Sequence, residues 1–255
     1  MGGRGLKPLP SAVKTLAAEL NLPVFQPDRI RDEAAQDRIR EVGADVMVVV
    51  AYGQILPASL INIPRLGTLN VHASLLPRHR GAAPIEWAIL SGDRETGVTI
   101  MQMDAGVDTG PILAQERTTI APNETTRPLE TRLAEMGGEL MVRTLDDLAN
   151  GRIQAAAQPA EDATHAPRLR SEDGKLSPST MSADEIDRKV RALADRVGTW
   201  LTVDGVELKV FRGHPGGEVG DGIPVETAKG VYVVEEVQPA GGRRMSAAAW
   251  ARGRR

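Results

Sequence analysis

There is no cysteine anywhere in the 255 residues. That absence excludes disulfides, a thiolate nucleophile and cysteine-ligated zinc, and it agrees with a reducing compartment. Aromatic residues are scarce, at 3%, so the core must be built mainly from Val, Ile, Leu, Ala and Met. No segment is apolar for long enough to cross a bilayer, and the longest buried-looking run is residues 46–52. The opening MGGRGLKPLP has basic residues but no apolar stretch behind them, so it is no secretory signal. A surplus of one charge is lacking too. Thirty-one Lys and Arg against 34 Asp and Glu give a net charge of −3, so attraction for nucleic acid must come from local patches. The expectation is a soluble, cytoplasmic protein with no membrane partner.

What is present is ordinary globular composition, 41% hydrophobic and 25% charged, long enough for one large domain or two smaller ones. Residues 1–10 read as a loop. Residues 11–21 carry a helical stripe (Val13, Leu16, Ala17, Leu20) behind a serine cap, residues 22–25 suit a short strand, and residues 29–42 are again helical. The run DVMVVVAY at 45–52 is almost continuously apolar and β-branched, the pattern of a strand buried on both faces of a parallel sheet. Strands follow at 67–73 and 96–103, a helix at 84–90, and a long helix at 124–150 with apolar positions at Leu129, Leu133, Met136, Leu140 and Leu145. This alternation predicts an α/β domain over residues 1–150 with a mainly parallel sheet.

Residues 151–180 are rich in Ala, Pro and charge without periodicity, and read as a linker. The C-terminal domain is expected over 181–255, with a helix at 182–196 and strands at 199–203, 207–211, 223–227 and 231–237. Short strands with glycine-rich turns suggest a small β-barrel or sandwich. A parallel α/β domain usually opens with a strand, whereas this chain opens with a loop and a helix, so an initial unit is expected to be missing.

The densest chemistry lies between residues 70 and 109. Asn70 and His72 are two apart at the end of a predicted strand, so their side chains project from one face. Strand carboxyl ends are where open α/β sheets bind ligands. A carboxamide beside an imidazole can stabilise a carbonyl oxygen that becomes negative during nucleophilic attack. Taken alone, an Asn-x-His pair is more often structural. The stretch Ser74-Leu-Leu-Pro-Arg-His-Arg-Gly-Ala-Ala-Pro84 is either a rigid solvated connection or a loop that presents Arg78, His79 and Arg80 to an anion. Asp108, in Asp104-Ala-Gly-Val-Asp-Thr-Gly110, follows a strand and could act beside the pair as proton acceptor or imidazole partner. The same string also suits a plain turn. A calcium loop is disfavoured, because the ligand spacing and terminal glutamate are absent. The four histidines (His72, His79, His165, His214) show no helical metal-ligand spacing, so no metal is expected.

Together, Asn70-Val-His72, Ser74-Leu-Leu-Pro77, Arg80-Gly-Ala-Ala-Pro84, Gly97-Val-Thr-Ile100 and Asp108-Thr-Gly110 resemble the signature of the folate-dependent formyltransferases. The RGAAPI form of the loop and the terminal QPAGGRRMS are most similar to the branch acting on methionyl-tRNA. The resemblance implies a Rossmann-like catalytic domain, truncated at its N-terminus, followed by an OB-like β-barrel that binds tRNA. It implies 10-formyltetrahydrofolate as donor, initiator methionyl-tRNA as acceptor, and Asn70, His72 and Asp108 as the catalytic trio. The folate pocket would be lined by Tyr52, Gly53, Gln54, Ile55 and Leu56, with Ser74, Leu75, Leu76 and Pro77. The tRNA would meet Arg4 and Lys7 in the N-terminal loop, Arg78 and Arg80, and Arg243 and Arg244 near the basic tail. A monomer is the expected state. The rival readings are formylation of an amino sugar or of glycinamide ribonucleotide, hydrolysis of formyltetrahydrofolate, and an inactive fragment or binding module. Residues 177–180 and 191–200 depart from the family pattern at the domain junction.

Overall fold

The computed structural model describes residues 10–217 and 220–253. Its first helix, α1 (Ala12–Glu19), is capped by Ser11, whose hydroxyl accepts from the Lys14 amide. Residues 22–25 form no strand, contrary to expectation: nothing described lies alongside to complete a ladder, and Leu22, Val24 and Phe25 stay exposed. After α2 (Glu33–Val42), the apolar run at 45–52 yields only a three-residue strand, β1 (Met47–Val49).

The double burial expected of β1 is not found. Val48 and Val50 are 40% and 60% exposed, because among the described residues β1 pairs on one side alone, with β2 (Thr68–His72), beyond the short helix α3 (Ala58–Ile61). The β1–β2 ladder is parallel. Two antiparallel strands, β4 (Glu95–Gln102) and β5 (Ile112–Thr119), complete the order β1-β2-β4-β5. Between β2 and β4 in the chain come the two-residue strand β3 (Arg80–Gly81) and helix α4 (Pro84–Ser91), whose first residue is the proline that suits a helix start.

The long helix α5 (Thr126–Ala149) lays its apolar stripe on one face of this sheet. Leu129, Leu133, Leu140 and Met141 pack with Leu69, Val98 and Ile100 from the strands and with Ile85 and Ile89 from α4. Full burial of each such side chain stabilises by roughly 1.5–3 kcal/mol. The close approach depends on Gly137, where a Cβ would stand 2.8 Å from a Val71 methyl. Val71 therefore faces α5, and by strand alternation Asn70 and His72 face the opposite side.

Residues 151–180 are not a free-running tether. After a short 3₁₀ turn (Ala160–Asp162), β6 (His165–Ala166) pairs in parallel with β3, and Ala156 bridges to Ile112 at the start of β5. Helix α6 (Ala183–Leu193) then opens with a capping box in which Ser182 and Glu185 bond reciprocally. It joins the two halves: Ile186 and Val190 belong to the C-terminal core, Ala192 and Leu193 to the N-terminal one. The C-terminal sheet is antiparallel and curled. β7 (Thr199–Val203), β8 (Val206–Pro215) and β10 (Val231–Pro239) run in order, while β9 (Ile223–Glu226) and β11 (Met245–Ser246) share the far edge of β10. The tail is more ordered than its arginines suggest: α7 (Ala247–Arg252) sends Trp250 into the C-terminal core.

Candidate active site

His72 ends β2 and is buried, 5% exposed. Its Nε2 lies 2.9 Å from the carbonyl oxygen of His79. A carbonyl only accepts, so Nε2 carries a proton and Nδ1 is the nitrogen left for chemistry. Nδ1 faces Asp108, with 3.6 Å to Oδ2. That separation is longer than a hydrogen bond but short enough for strong charge coupling. Burial, the largest influence, pushes the His72 pKa down; the Asp108 charge and the bond to His79 oppose it without reversing it. The imidazole is thus biased to its neutral form at neutral pH, beside a carboxylate that favours the charged one.

Asp108 sits in the left-handed region, φ +52°, in a turn where Asp104 accepts from the Gly106 amide (2.9 Å) and the Thr109 hydroxyl (2.7 Å). The Asp104 carboxylate is therefore turned into its own loop. Among the described residues no cluster of His, Cys, Asp and Glu could hold a metal. Oδ2 of Asp108 accepts from the Gly81 amide at 2.8 Å, which aims the carboxylate back at the strand end. Asn70, half-buried on the same face as His72, stands opposite Val49 in the β1–β2 ladder. His72 and Asp108 thus meet at the carboxyl end of β2, with Asn70 two residues earlier on the same strand face.

The loop at 73–83 wraps this corner. The Ser74 hydroxyl donates to the Arg78 carbonyl at 2.6 Å, and the buried Leu76 amide donates to Thr99 Oγ1 at 3.1 Å. Gln115 reaches in from β5 to the Leu76 carbonyl at 2.8 Å. Half-buried Leu75 and Pro77 complete the turn. The ring of His79 is buried too, and its Nε2 contacts Asp93 at 2.7 Å, while Arg78 reaches the other oxygen of the same carboxylate at 2.7 Å. Burial acts to raise the Asp93 pKa, but the bonds from His79 and Arg78 outweigh it and hold the carboxyl below its ordinary value.

The loop at 50–57 leaves β1 beside Asn70. Ala51 and Gly53 both have positive φ, +44° and +79°. Gln54 anchors the loop by accepting from the Ile30 amide at 3.1 Å, whereas Tyr52 and Ile55 are exposed, Ile55 to 86%. Gly53 is exposed as well, and Leu56 is half-buried. Of the expected RNA contacts, Arg80 donates twice to Gln158 (2.7 and 3.0 Å), and Arg244 pairs with Glu236 (2.7 and 2.8 Å) while stacking on Phe211. Arg243 is exposed on the same β10–β11 turn. Arg4 and Lys7 lie outside the described residues. Sequence reasoning missed Gly81 as a partner of Asp108, the His79 carbonyl, and Gln158; backbone groups leave no trace in a motif.

Residues 1–145 match the family model described as "Formyl transferase", and residues 168–255 match "Formyl transferase, C-terminal domain". The chain belongs to the formyl transferase family. A methionyl-tRNA formyltransferase of Paracoccus denitrificans is 46% identical over 258 residues, covering 98% of this chain and 85% of that protein. One from Neisseria gonorrhoeae is 44% identical over 264 residues, covering 99% and 85%. Solved structures share the fold at lower identity. An N-formyltransferase from Helicobacter canadensis, in complex with folinic acid and dTDP-3-aminofucose, superposes with TM-score 0.68 at 16% identity, covering 95% of this chain and 86% of that one. HypX from Aquifex aeolicus, bound to tetrahydrofolic acid, gives 0.65 at 18%, covering 84% and 40%. No helix among the described residues is long and apolar enough to cross a membrane.

Proposed function

We propose that this chain transfers the formyl group of 10-formyltetrahydrofolate to the amino group of initiator methionyl-tRNA in the cytoplasm, with Asn70, His72 and Asp108 at the reacting centre. The observation that carries the reading is the fixed imidazole: Nε2 is tied to the His79 carbonyl, so Nδ1 alone faces Asp108 and the open side of the strand end. The 44–46% identity to methionyl-tRNA formyltransferases selects the acceptor.

The amine nitrogen attacks the formyl carbon, a C–N bond forms, and the carbonyl oxygen becomes negative. The Asn70 carboxamide donates to that oxygen, and Nδ1 of His72 does so in the imidazolium form, which the Asp108 charge favours against burial. Such donors act most strongly where water is excluded, and His72 is deeply buried. Asp108 stabilises the imidazolium and takes up the amine proton through water; the bond to folate N10 then breaks and that proton passes to N10. For the donor, the exposed backbone at 52–55, with glycine at 53 and the apolar faces of Tyr52 and Ile55, suits a flat heteroaromatic edge. The turn at 74–77 closes the pocket from the other side. Arg78, Arg80, Arg243 and Arg244 contact the tRNA.

The test is formyl transfer from 10-formyltetrahydrofolate to initiator methionyl-tRNA, with Asp108→Asn run beside the unsubstituted chain. Transfer abolished by the substitution supports the reading. Transfer of equal rate in both removes Asp108 from the mechanism, and formate release without any amine would instead indicate a hydrolase.

A further inference from the structure

A single side chain from the segment between the two domains closes on the loop that carries Asp108. Gln158 uses its whole carboxamide. Its Nε2 donates to the carbonyl oxygens of Asp108 (2.9 Å) and Gly110 (2.7 Å), and its Oε1 accepts from Nε and Nη2 of Arg80 (3.0 and 2.7 Å). A carboxamide offers two donor hydrogens and two acceptor lone pairs, and all four are engaged.

The neighbours on the same segment extend the grip. Thr164 accepts from the His79 amide through its hydroxyl (2.8 Å) and from the Arg80 amide through its carbonyl (2.9 Å). Ala166 pairs with Gly81 and accepts from the Ala83 amide at 3.2 Å. Ala156 exchanges two 2.8 Å bonds with Ile112, just past Gly110. Residues 156–166 therefore hold both walls of the corner: the turn that presents Asp108 and the loop whose Gly81 amide receives its carboxylate.

We infer that Gln158 is a positioning residue for formyl transfer, fixing the backbone of Asp108 so that its carboxylate stays between the Gly81 amide and the imidazole of His72. The need for such a clamp follows from where Asp108 sits. Its turn is exposed on both sides, at Ala105, Gly106 and Val107 and again at Thr109, and the residue itself holds a backbone conformation that non-glycine residues seldom adopt. The Asp104 carboxylate braces Gly106 and Thr109 within the turn, but it leaves the Asp108 carbonyl to Gln158. Gln158 bonds the carbonyl of Asp108 itself and that of Gly110, two residues on, and so spans the residue it orients. The inference rests on the assignment of Asp108 to the reacting centre.

The experiment compares Gln158→Glu, Gln158→Ala, Asp108→Ala and the double variants in the full chain, with single-turnover and steady-state transfer to initiator methionyl-tRNA. Glutamate keeps the acceptor for Arg80 but turns a carboxylate oxygen on two carbonyl oxygens, so it breaks only the half of the clamp that holds Asp108. Misplacing a reacting group by about 1 Å costs on the order of 10²-fold. The expected result is a fall in kcat of about 10- to 100-fold in both Gln158 variants. In Gln158→Glu, which keeps the acceptor for Arg80, KM for each substrate should stay within about twofold, because in this arrangement Gln158 touches neither substrate. In the Asp108→Ala background the same substitutions should change kcat by less than about twofold, since the group they position is gone. Gln158→Ala adds no charge, and its thermal transition, measured alongside, shows that the comparison is between folded chains. Unchanged kcat in the Gln158 variants, with Asp108→Ala impaired, overturns this inference alone. An equal loss with and without Asp108 overturns it as well, by showing that Gln158 acts elsewhere. Full turnover in Asp108→Ala removes the role of Asp108 and this inference with it.

Discussion

Gly81→Ala asks whether one methyl group, placed on a residue with no side chain of its own, can disable the site. Gly81 has φ +123°, and a Cβ built on it would stand 2.6 Å from the carbonyl oxygen of Ala166 and 3.1 Å from its carbon. Real Cβ atoms do not approach a backbone oxygen that closely, so either β3 and β6 part or the backbone of residue 81 rotates. The first route breaks the short ladder that ties the segment at 156–166 to the loop at 73–83. The second turns away the amide that donates to Asp108 at 2.8 Å. Forcing an L-residue into this backbone region costs about 1–3 kcal/mol. Overpacking against an immobile backbone costs about 1–3 kcal/mol more. The variant should therefore lose roughly 2–6 kcal/mol in urea unfolding at neutral pH, the sum of those two costs. Whatever remains folded should transfer formyl groups about 10²-fold more slowly, the usual cost of a 1 Å displacement. Stability within about 0.5 kcal/mol, the range of an innocuous surface substitution, together with unchanged kcat, would refute the reasoning.

Three further outcomes follow from the same geometry. Asn70→Ala should lower turnover about 10²- to 10³-fold, the usual effect of deleting an oxyanion donor, and an unchanged rate would sink its assigned role. Asp93 has its folded pKa depressed by His79 and Arg78 against the opposing effect of burial. Its contribution to stability is therefore complete above the unfolded carboxylate value near pH 4 and is lost as pH falls through the lower folded value. Asp93→Asn should destabilise at pH 7 and show a shallower acid limb in urea midpoints between pH 7 and pH 3; parallel curves would contradict this. The Tyr232 hydroxyl is buried with no hydrogen-bond partner among the described residues, so Tyr232→Phe should leave stability unchanged or raise it by up to about 1 kcal/mol in thermal unfolding. A loss larger than that would show that the hydroxyl is satisfied after all.

The parts of the fold that were legible in the sequence are those whose burial follows a local period. The stripe Leu129, Leu133 and Leu140 names both the helix α5 and its packed face, and Pro84 marks the start of α4. The strand β2 and its paired Asn70 and His72 were legible for the same reason, since alternation alone puts both on one face. Legibility failed where a segment's state depends on a distant partner. The apolar run at 45–52 has the composition of a doubly buried strand, yet burial needs a second neighbour, and the described ladder supplies only β2. Strand β5 escaped notice because its sequence, ILAQERTT, mixes charge into a strand that is only half-buried.

The segment at 151–180 is the sharper case. It has no apolar period because it buries little; its order comes largely from main-chain bonds to a loop some eighty residues earlier, as in Thr164 to Pro77 and Arg80. Such bonds use groups that every residue possesses, so composition cannot announce them. The same holds at the reacting centre. Motifs gave the three side chains, but their usable chemistry is set by a carbonyl at residue 79, an amide at residue 81 and a carboxamide at residue 158. The first leaves Nδ1 of His72 as the working nitrogen. The second aims Asp108 at it. The third comes from outside the motif block altogether, so motifs could propose Asn70, His72 and Asp108 while giving no sign of the carboxamide that bonds the Asp108 backbone.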